Sequence, residues 1–104
     1  MKHRVCTLAE LSEGSMKSFD IDGEPVLVAN IKGELYAIHD ICSHAMAYLS
    51  EGELLAEECQ VQCPDHAAIF DLKTGDALAL PAVAAVDTYK VSTESDDIYV
   101  ETGE

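Results

Sequence analysis

The 104-residue chain carries 20 Asp and Glu against 6 Lys and Arg, a formal net charge of -14. Such a field repels nucleic acid and anionic membrane surfaces and favours basic partners, and no run approaches the ~20 apolar residues that a membrane span needs. The length admits one domain, residues 1–104, with a modest core and no room for a separate catalytic domain; without Trp, that core has to be built mainly from Val, Ile, Leu and Ala.

Short apolar runs separated by turn residues predict an all-β domain. Residues 3–8 read as a strand, and Leu8-Ala9-Glu10-Leu11 as one helical turn ended by Ser12-Glu13-Gly14-Ser15. A second strand follows over 16–21, where Phe19 and Ile21 alternate with Ser18 and Asp20. Asp22-Gly23 is a hairpin turn, because Gly tolerates the positive φ that two-residue hairpins require. Pro25 precedes the apolar run 26–31, Lys32-Gly33 turns the chain again, and 34–39 returns with Leu35, Ala37 and His39 on one face. This three-strand meander delivers the chain into a loop at Asp40. Beyond the turn Ser50-Glu51-Gly52 the chain passes Leu54-Leu55 and enters a strand at Glu58, with Cys59, Val61 and Cys63 sharing a face. Strands are expected over 68–72 and 77–80, joined by Lys73-Thr74-Gly75-Asp76 and ended by Pro81. A small-residue link, 82–85, leads to strands 86–92 and 98–101 with a polar turn at 93–97. The expected fold class is all-β, a small antiparallel sandwich or barrel.

Two stretches carry the chemistry, Cys42-Ser43-His44 and Cys63-Pro64-Asp65-His66. A thiolate two or three residues from an imidazole on a tight loop can aim both donors at one point. Two such loops supply two sulfur and two nitrogen ligands, a set that suits tetrahedral zinc or a two-iron, two-sulfur cluster with histidine replacing cysteine on one iron. Zinc fingers pair two cysteines in one knuckle and two histidines on a helix; here each knuckle is mixed and no helix follows, which favours the dinuclear site. His3, near the terminus, and His39, on an apolar strand face, read as structural. Met1-Lys2-His3-Arg4 is basic, but the apolar residues after it stop at Glu10, too soon for a secretory signal. A cytoplasmic protein is expected, with Cys6 and Cys59 as free, buried thiols rather than a disulfide.

These motifs resemble those of the Rieske-type [2Fe–2S] proteins. Ser50-Glu51-Gly52-Glu53-Leu54, Val61-Gln62-Cys63-Pro64-Asp65-His66, Phe70-Asp71-Leu72-Lys73-Thr74-Gly75 and Leu80-Pro81-Ala82 are similar to the corresponding stretches of the soluble Rieske ferredoxins of bacterial ring-hydroxylating dioxygenases. The resemblance runs from about Val5 to Val100. It implies that Cys42 and Cys63 bind the inner iron, and His44 and His66 the outer, more exposed iron, of one [2Fe–2S] cluster. It also implies a β-sandwich base with a cluster-binding subdomain inserted at about 40–71, and a third loop around Leu80-Pro81-Ala82 that shields the cluster. The chain departs from the family at Ala67, where Gly usually follows the second histidine; a positive φ there would strain Ala by roughly 1 kcal/mol or more.

The function implied is a one-electron carrier, itself not an enzyme, between an NAD(P)H-dependent flavoprotein reductase and a terminal oxygenase, and a monomer is expected. Met46, Ala47 and Tyr48, with Ala67 and Pro81, would form an apolar contact for these partners beside the outer-iron histidines, rimmed by acids in a manner suited to brief docking. Two other readings are a Rieske-type small subunit of an assimilatory nitrite reductase and, from a different class, a zinc-stabilised β interaction module without redox function. Visible absorption separates the last, since zinc is colourless and a Rieske centre red-brown.

Neutral imidazoles explain the ligand choice. With two thiolates the oxidised site is neutral and one electron makes it -1, whereas four thiolates would take the step from -2 to -3; Rieske centres accordingly span roughly −150 to +300 mV against about −400 mV for plant-type ferredoxins. Respiratory members of the family add a disulfide between the ligand loops and Ser and Tyr hydroxyls to the cluster sulfurs. The aligned positions here are Ala47 and Asp65, and Ala68 and Phe70, none of which can serve. Fewer hydrogen bonds to sulfur and an acidic protein both oppose adding an electron. Redox titration is expected to give a potential within about 100 mV of the lower end of the Rieske range; a clearly positive value refutes the argument.

Overall fold

The computed structural model describes residues 2–42, 47–64, 68–79 and 84–102. β1 (Lys2–Thr7) leads through a 3₁₀ turn (Leu8–Glu10) into the meander β2 (Ser15–Ile21), β3 (Glu24–Ile31) and β4 (Glu34–His39). Both hairpin turns of the meander are left-handed pairs, Asp22-Gly23 (φ 54 and 85°) and Lys32-Gly33 (φ 54 and 90°), whose twist matches that of the flanking strands. Each is pinned by the same device: the Asp20 carboxylate accepts from the Gly23 amide at 2.9 Å, and the Asn30 side chain from the Gly33 amide at 3.0 Å.

After a second 3₁₀ turn (Leu49–Glu51) come four three-residue strands, β5 (Glu53–Leu55), β6 (Gln60–Gln62), β7 (Ile69–Asp71) and β8 (Ala77–Ala79). β9 (Thr88–Glu94) and β10 (Asp97–Glu101) complete the chain. The order is β1-β10-β9-β4-β3-β2 in a six-stranded sheet and β5-β6-β7-β8 in a four-stranded one, and every pairing is antiparallel. The fold is all-β, as expected. Among the described residues no helix is long and apolar enough to cross a membrane.

β3 explains how the sheets join. Its run Val26-Leu27-Val28-Ala29 is fully buried on both faces. Val26 and Val28 pack with Cys6, Ile21, Ala37, Ile98 and Val100, so the two ends of the six-stranded sheet close over one core. Leu27, Ala29 and Ile31 face the other way and pack with Val61, Phe70 and Leu72 of the four-stranded side, and with Cys42 and Cys63. A strand buried on both faces has no polar side to alternate with, which is why this stretch reads as a continuous apolar run.

Three expectations are corrected. Cys59 is not in the strand: it takes φ 57° in the turn before β6, which begins at Gln60. Leu54 and Leu55 belong to a strand rather than a passing loop, because they pair with Val61 and Gln60. The ninth strand begins at Thr88, two residues later than the apolar pattern indicates, because Val86 is held by the Gly75 carbonyl (2.9 Å) and buried in the core instead. The stretch 80–83, with the expected strand end at Pro81, lies outside the described residues.

Two residues tie the meander to the four-stranded sheet. Asp40 is fully buried at the exit of β4, where one carboxylate oxygen accepts the Ser50 amide (2.7 Å) and the other the Ser50 hydroxyl (2.8 Å). Its backbone accepts from Leu49 and donates to Pro25. Gly52 lies so close to β6 that an added Cβ would fall 1.9 Å from the Gln62 carbonyl oxygen. Asp40→Ala therefore strands a buried donor and is expected to cost about 1–3 kcal/mol, and Gly52→Ala, which has to push strand backbones apart, about the same. Thermal denaturation of both variants measures this; an unchanged midpoint in either removes that tie.

Candidate metal centre

The two Cys/His stretches occupy equivalent places in two hairpins. In the first, Ile41 and Tyr48 form an antiparallel bridge and the Cys42 amide donates to the Ala47 carbonyl at 2.9 Å. In the second, the β6–β7 ladder runs up to the pair Gln62 and Ile69, and the Cys63 amide donates to the Ala68 carbonyl at 2.9 Å. Each cysteine thus opens a loop of four residues closed by the same bond from residue i to residue i+5. The closure fixes the cysteine backbone at the base of each loop.

Both thiols point inward. Cys42 and Cys63 are each 3% exposed and belong to one buried cluster, with Leu49, Val61, Ala68 and Phe70 around them. None of the four cysteines forms a disulfide. Two thiols brought into one apolar cluster from separate loops suit the sulfur half of a [2Fe–2S] donor set: thiolates are the soft donors that iron–sulfur clusters take. The residues present therefore fit such a group. His44 and His66, which would supply the nitrogen half, lie outside the described residues.

The remaining expected site residues divide. Met46, Ala67 and Pro81 lie outside the described residues. Tyr48 is 46% exposed. Ala47 is only 8% exposed and packs in the core beside Cys42, because the residue whose carbonyl closes the loop is turned inward. Ala68 and Phe70 are fully buried in the same cluster as the two thiols and carry no hydroxyl. His3 lies 3.4 Å from Asp22, and His39 lies 3.8 Å from Glu24; both contacts are made to the base and suit structural residues. Cys6 is buried and Cys59 half-buried, and burial pushes both thiols up from their ordinary range, which keeps them protonated near neutrality.

Asp40 and Gly52 escape sequence reasoning as parts of the site. Asp40 stands two residues before Cys42, and its partner Ser50 is ten residues on; no local motif announces such a pair. Gly52 is required by close approach, not by a turn, so its composition signal is that of any loop glycine.

Comparison with known proteins agrees with this arrangement. A family model describing the Rieske [2Fe-2S] domain matches residues 1–90. The 3-phenylpropionate/cinnamic acid dioxygenase ferredoxin subunit of Escherichia coli (strain K12) is 46% identical over 101 residues, covering 96% of this chain and 92% of that protein. Among solved structures, the ferredoxin of carbazole 1,9a-dioxygenase from Nocardioides aromaticivorans IC177 superposes with a TM-score of 0.93 at 41% identity, covering 96% of each chain. A ferredoxin in complex with the oxygenase of carbazole 1,9a-dioxygenase gives a TM-score of 0.88 at 27% identity over 95% of this chain and 91% of that one. With its two buried thiols at matched loop closures and this likeness along nearly its whole length, the chain belongs to the Rieske [2Fe–2S] family, as an electron-carrying ferredoxin rather than a catalytic subunit.

Proposed function

We propose that this protein carries single electrons from an NAD(P)H-dependent flavoprotein reductase to the terminal oxygenase of a ring-hydroxylating dioxygenase. The observation that carries the reading is the pair of buried thiols at equivalent loop closures, in a chain 46% identical to a dioxygenase ferredoxin subunit. When bound, the [2Fe–2S] cluster supplies a one-electron couple. Cys42 and Cys63 would hold its inner iron, and His44 and His66 its outer iron. Residues 40–71 act as the cluster-binding subdomain on the base formed by the six-stranded sheet, with Asp40 and Gly52 keeping the two parts together.

The chain's own residues then set direction and docking. The apolar surroundings of the thiols, with Ala68 and Phe70 in place of hydroxyl donors, leave the cluster sulfurs few hydrogen bonds and favour release of the electron. Partner contact involves Met46, Tyr48, Ala67 and Pro81. The protein works as a monomer in the cytoplasm, and its charge of -14 steers it to basic faces.

The ligand assignment has a direct test. Cys42→Ser, Cys63→Ser, His44→Ala and His66→Ala are each expected to lose the red-brown absorption and the roughly two irons and two labile sulfides of one cluster. His3→Ala, His39→Ala, Cys6→Ser and Cys59→Ser are expected to keep them. Loss in the second group with retention in the first overturns the assignment. The carrier function is tested by adding the holoprotein to the reductase and oxygenase components of the E. coli 3-phenylpropionate dioxygenase without their own ferredoxin. NADH-driven turnover should appear and should fall steeply as salt rises; no stimulation counts against the reading, and salt-independent turnover counts against steering by charge.

A further inference from the structure

β8 contains a fault in its ladder. Ala79 pairs with Ile69 and Ala77 with Phe70, so one step along β7 corresponds to two along β8. Leu78 is the extra residue. It has no partner across the ladder, and it is 48% exposed. Bulges of this kind gather at sheet edges and beside functional sites, where they re-aim a side chain. Here the bulge lies on an edge strand and turns a leucine to solvent, while Ala77 and Ala79 on either side are small and partly buried.

The place is as informative as the exposure. Ile69, the partner of Ala79, also pairs with Gln62, the residue before Cys63. Leu78 therefore sits at the loop end of the four-stranded sheet, on its β8 edge. Tyr48 leads into β5, the opposite edge. Tyr48 itself is bridged to Ile41 and precedes the 3₁₀ turn that leads to that edge. Among the described residues the remaining exposed large apolar side chain is Leu8, 36% exposed in the 3₁₀ turn after β1. Exposed acids flank both sites, Glu51 and Glu53 beside Tyr48 and Asp76 beside Leu78, and Lys73 is the only Lys or Arg between residues 40 and 87.

We infer that Leu78, turned out by the β8 bulge, is a second apolar anchor for the oxygenase, placed across the cluster end from Tyr48. The inference rests on the proposed carrier function and extends the contact from Tyr48 to the β8 edge of the sheet. The oxygenase face that fits has two shallow apolar recesses, one for each side chain, set in basic surroundings that match the acidic rim. Two anchors fix the rotation of the ferredoxin about its long axis, which one apolar tip cannot do.

The test uses holoprotein and the oxygenase component of the E. coli 3-phenylpropionate dioxygenase, with binding measured by titration. Leu78→Asp is expected to weaken binding about tenfold or more, and Leu78→Ala about threefold to fivefold. Visible spectrum and thermal midpoint should stay unchanged, since the side chain is exposed. Leu8→Asp, the control, should bind within about twofold of wild type. Equal binding of Leu78→Asp and wild type overturns the inference alone. A loss confined to the reductase titration, or a change in the protein's own oligomeric state in place of a binding loss, also overturns it. Failure of the wild-type protein to bind the oxygenase overturns the carrier reading together with it.

Discussion

The site depends on two backbone hydrogen bonds, from Cys42 to Ala47 and from Cys63 to Ala68. Each closes a four-residue loop at its base, so that the position of each cysteine is set by the hairpin below it and not by the loop above. A donor set split between two segments twenty-one residues apart is useful only if both segments arrive at a fixed separation. Closing each loop locally reduces that problem to holding two hairpin bases together, which is a matter of packing and not of loop conformation.

Packing is supplied from below by β3 and from the side by Asp40 and Gly52. β3 gives one face to each core, so any displacement of the four-stranded sheet would expose Leu27, Ala29 and Ile31 at once. Asp40 uses both carboxylate oxygens on Ser50, and Gly52 lets the chain lie against Gln62, one residue from Cys63. These contacts link the end of β4, the base of the first loop and the base of the second. A buried carboxylate in this position is costly unless fully partnered; with both oxygens engaged it becomes a specific fastening that an apolar residue could not replace.

What was legible in the sequence followed from how local each cause is. The meander was readable because Asp22-Gly23 and Lys32-Gly33 fix their own turns and the strands between them have nowhere else to fold. The ligand candidates were readable because thiol and imidazole chemistry is carried by residue type and spacing. Cys59 misled because alternation continues through Glu58 to Gln62 as if the strand began earlier, while the backbone at Cys59 turns left-handed. Val86 misled in the same manner: an apolar residue at a strand entrance was buried by the core and not by the ladder. Asp40, Gly52 and Leu78 were invisible because each acts through a distant strand, and Leu78 is exposed only because the register of β7 against β8 slips at that point.

The same packing that positions the thiols also bears on how readily a cluster held there would accept an electron. Val61, Leu49, Ala68 and Phe70 surround Cys42 and Cys63 with side chains that offer no hydrogen bond. In such a medium a charge added near the thiolates is poorly solvated, and the surrounding field of a protein with a formal charge of -14 raises its energy further. A hydroxyl at Ala68 or Phe70 would ease that penalty, but it would need room in a core where both residues are already fully buried, and an extra atom there strains its neighbours. Tight apolar packing and ready electron release are therefore one property of this core. The residues that hold the loops in place are the same ones that lower the affinity of the site for an added electron.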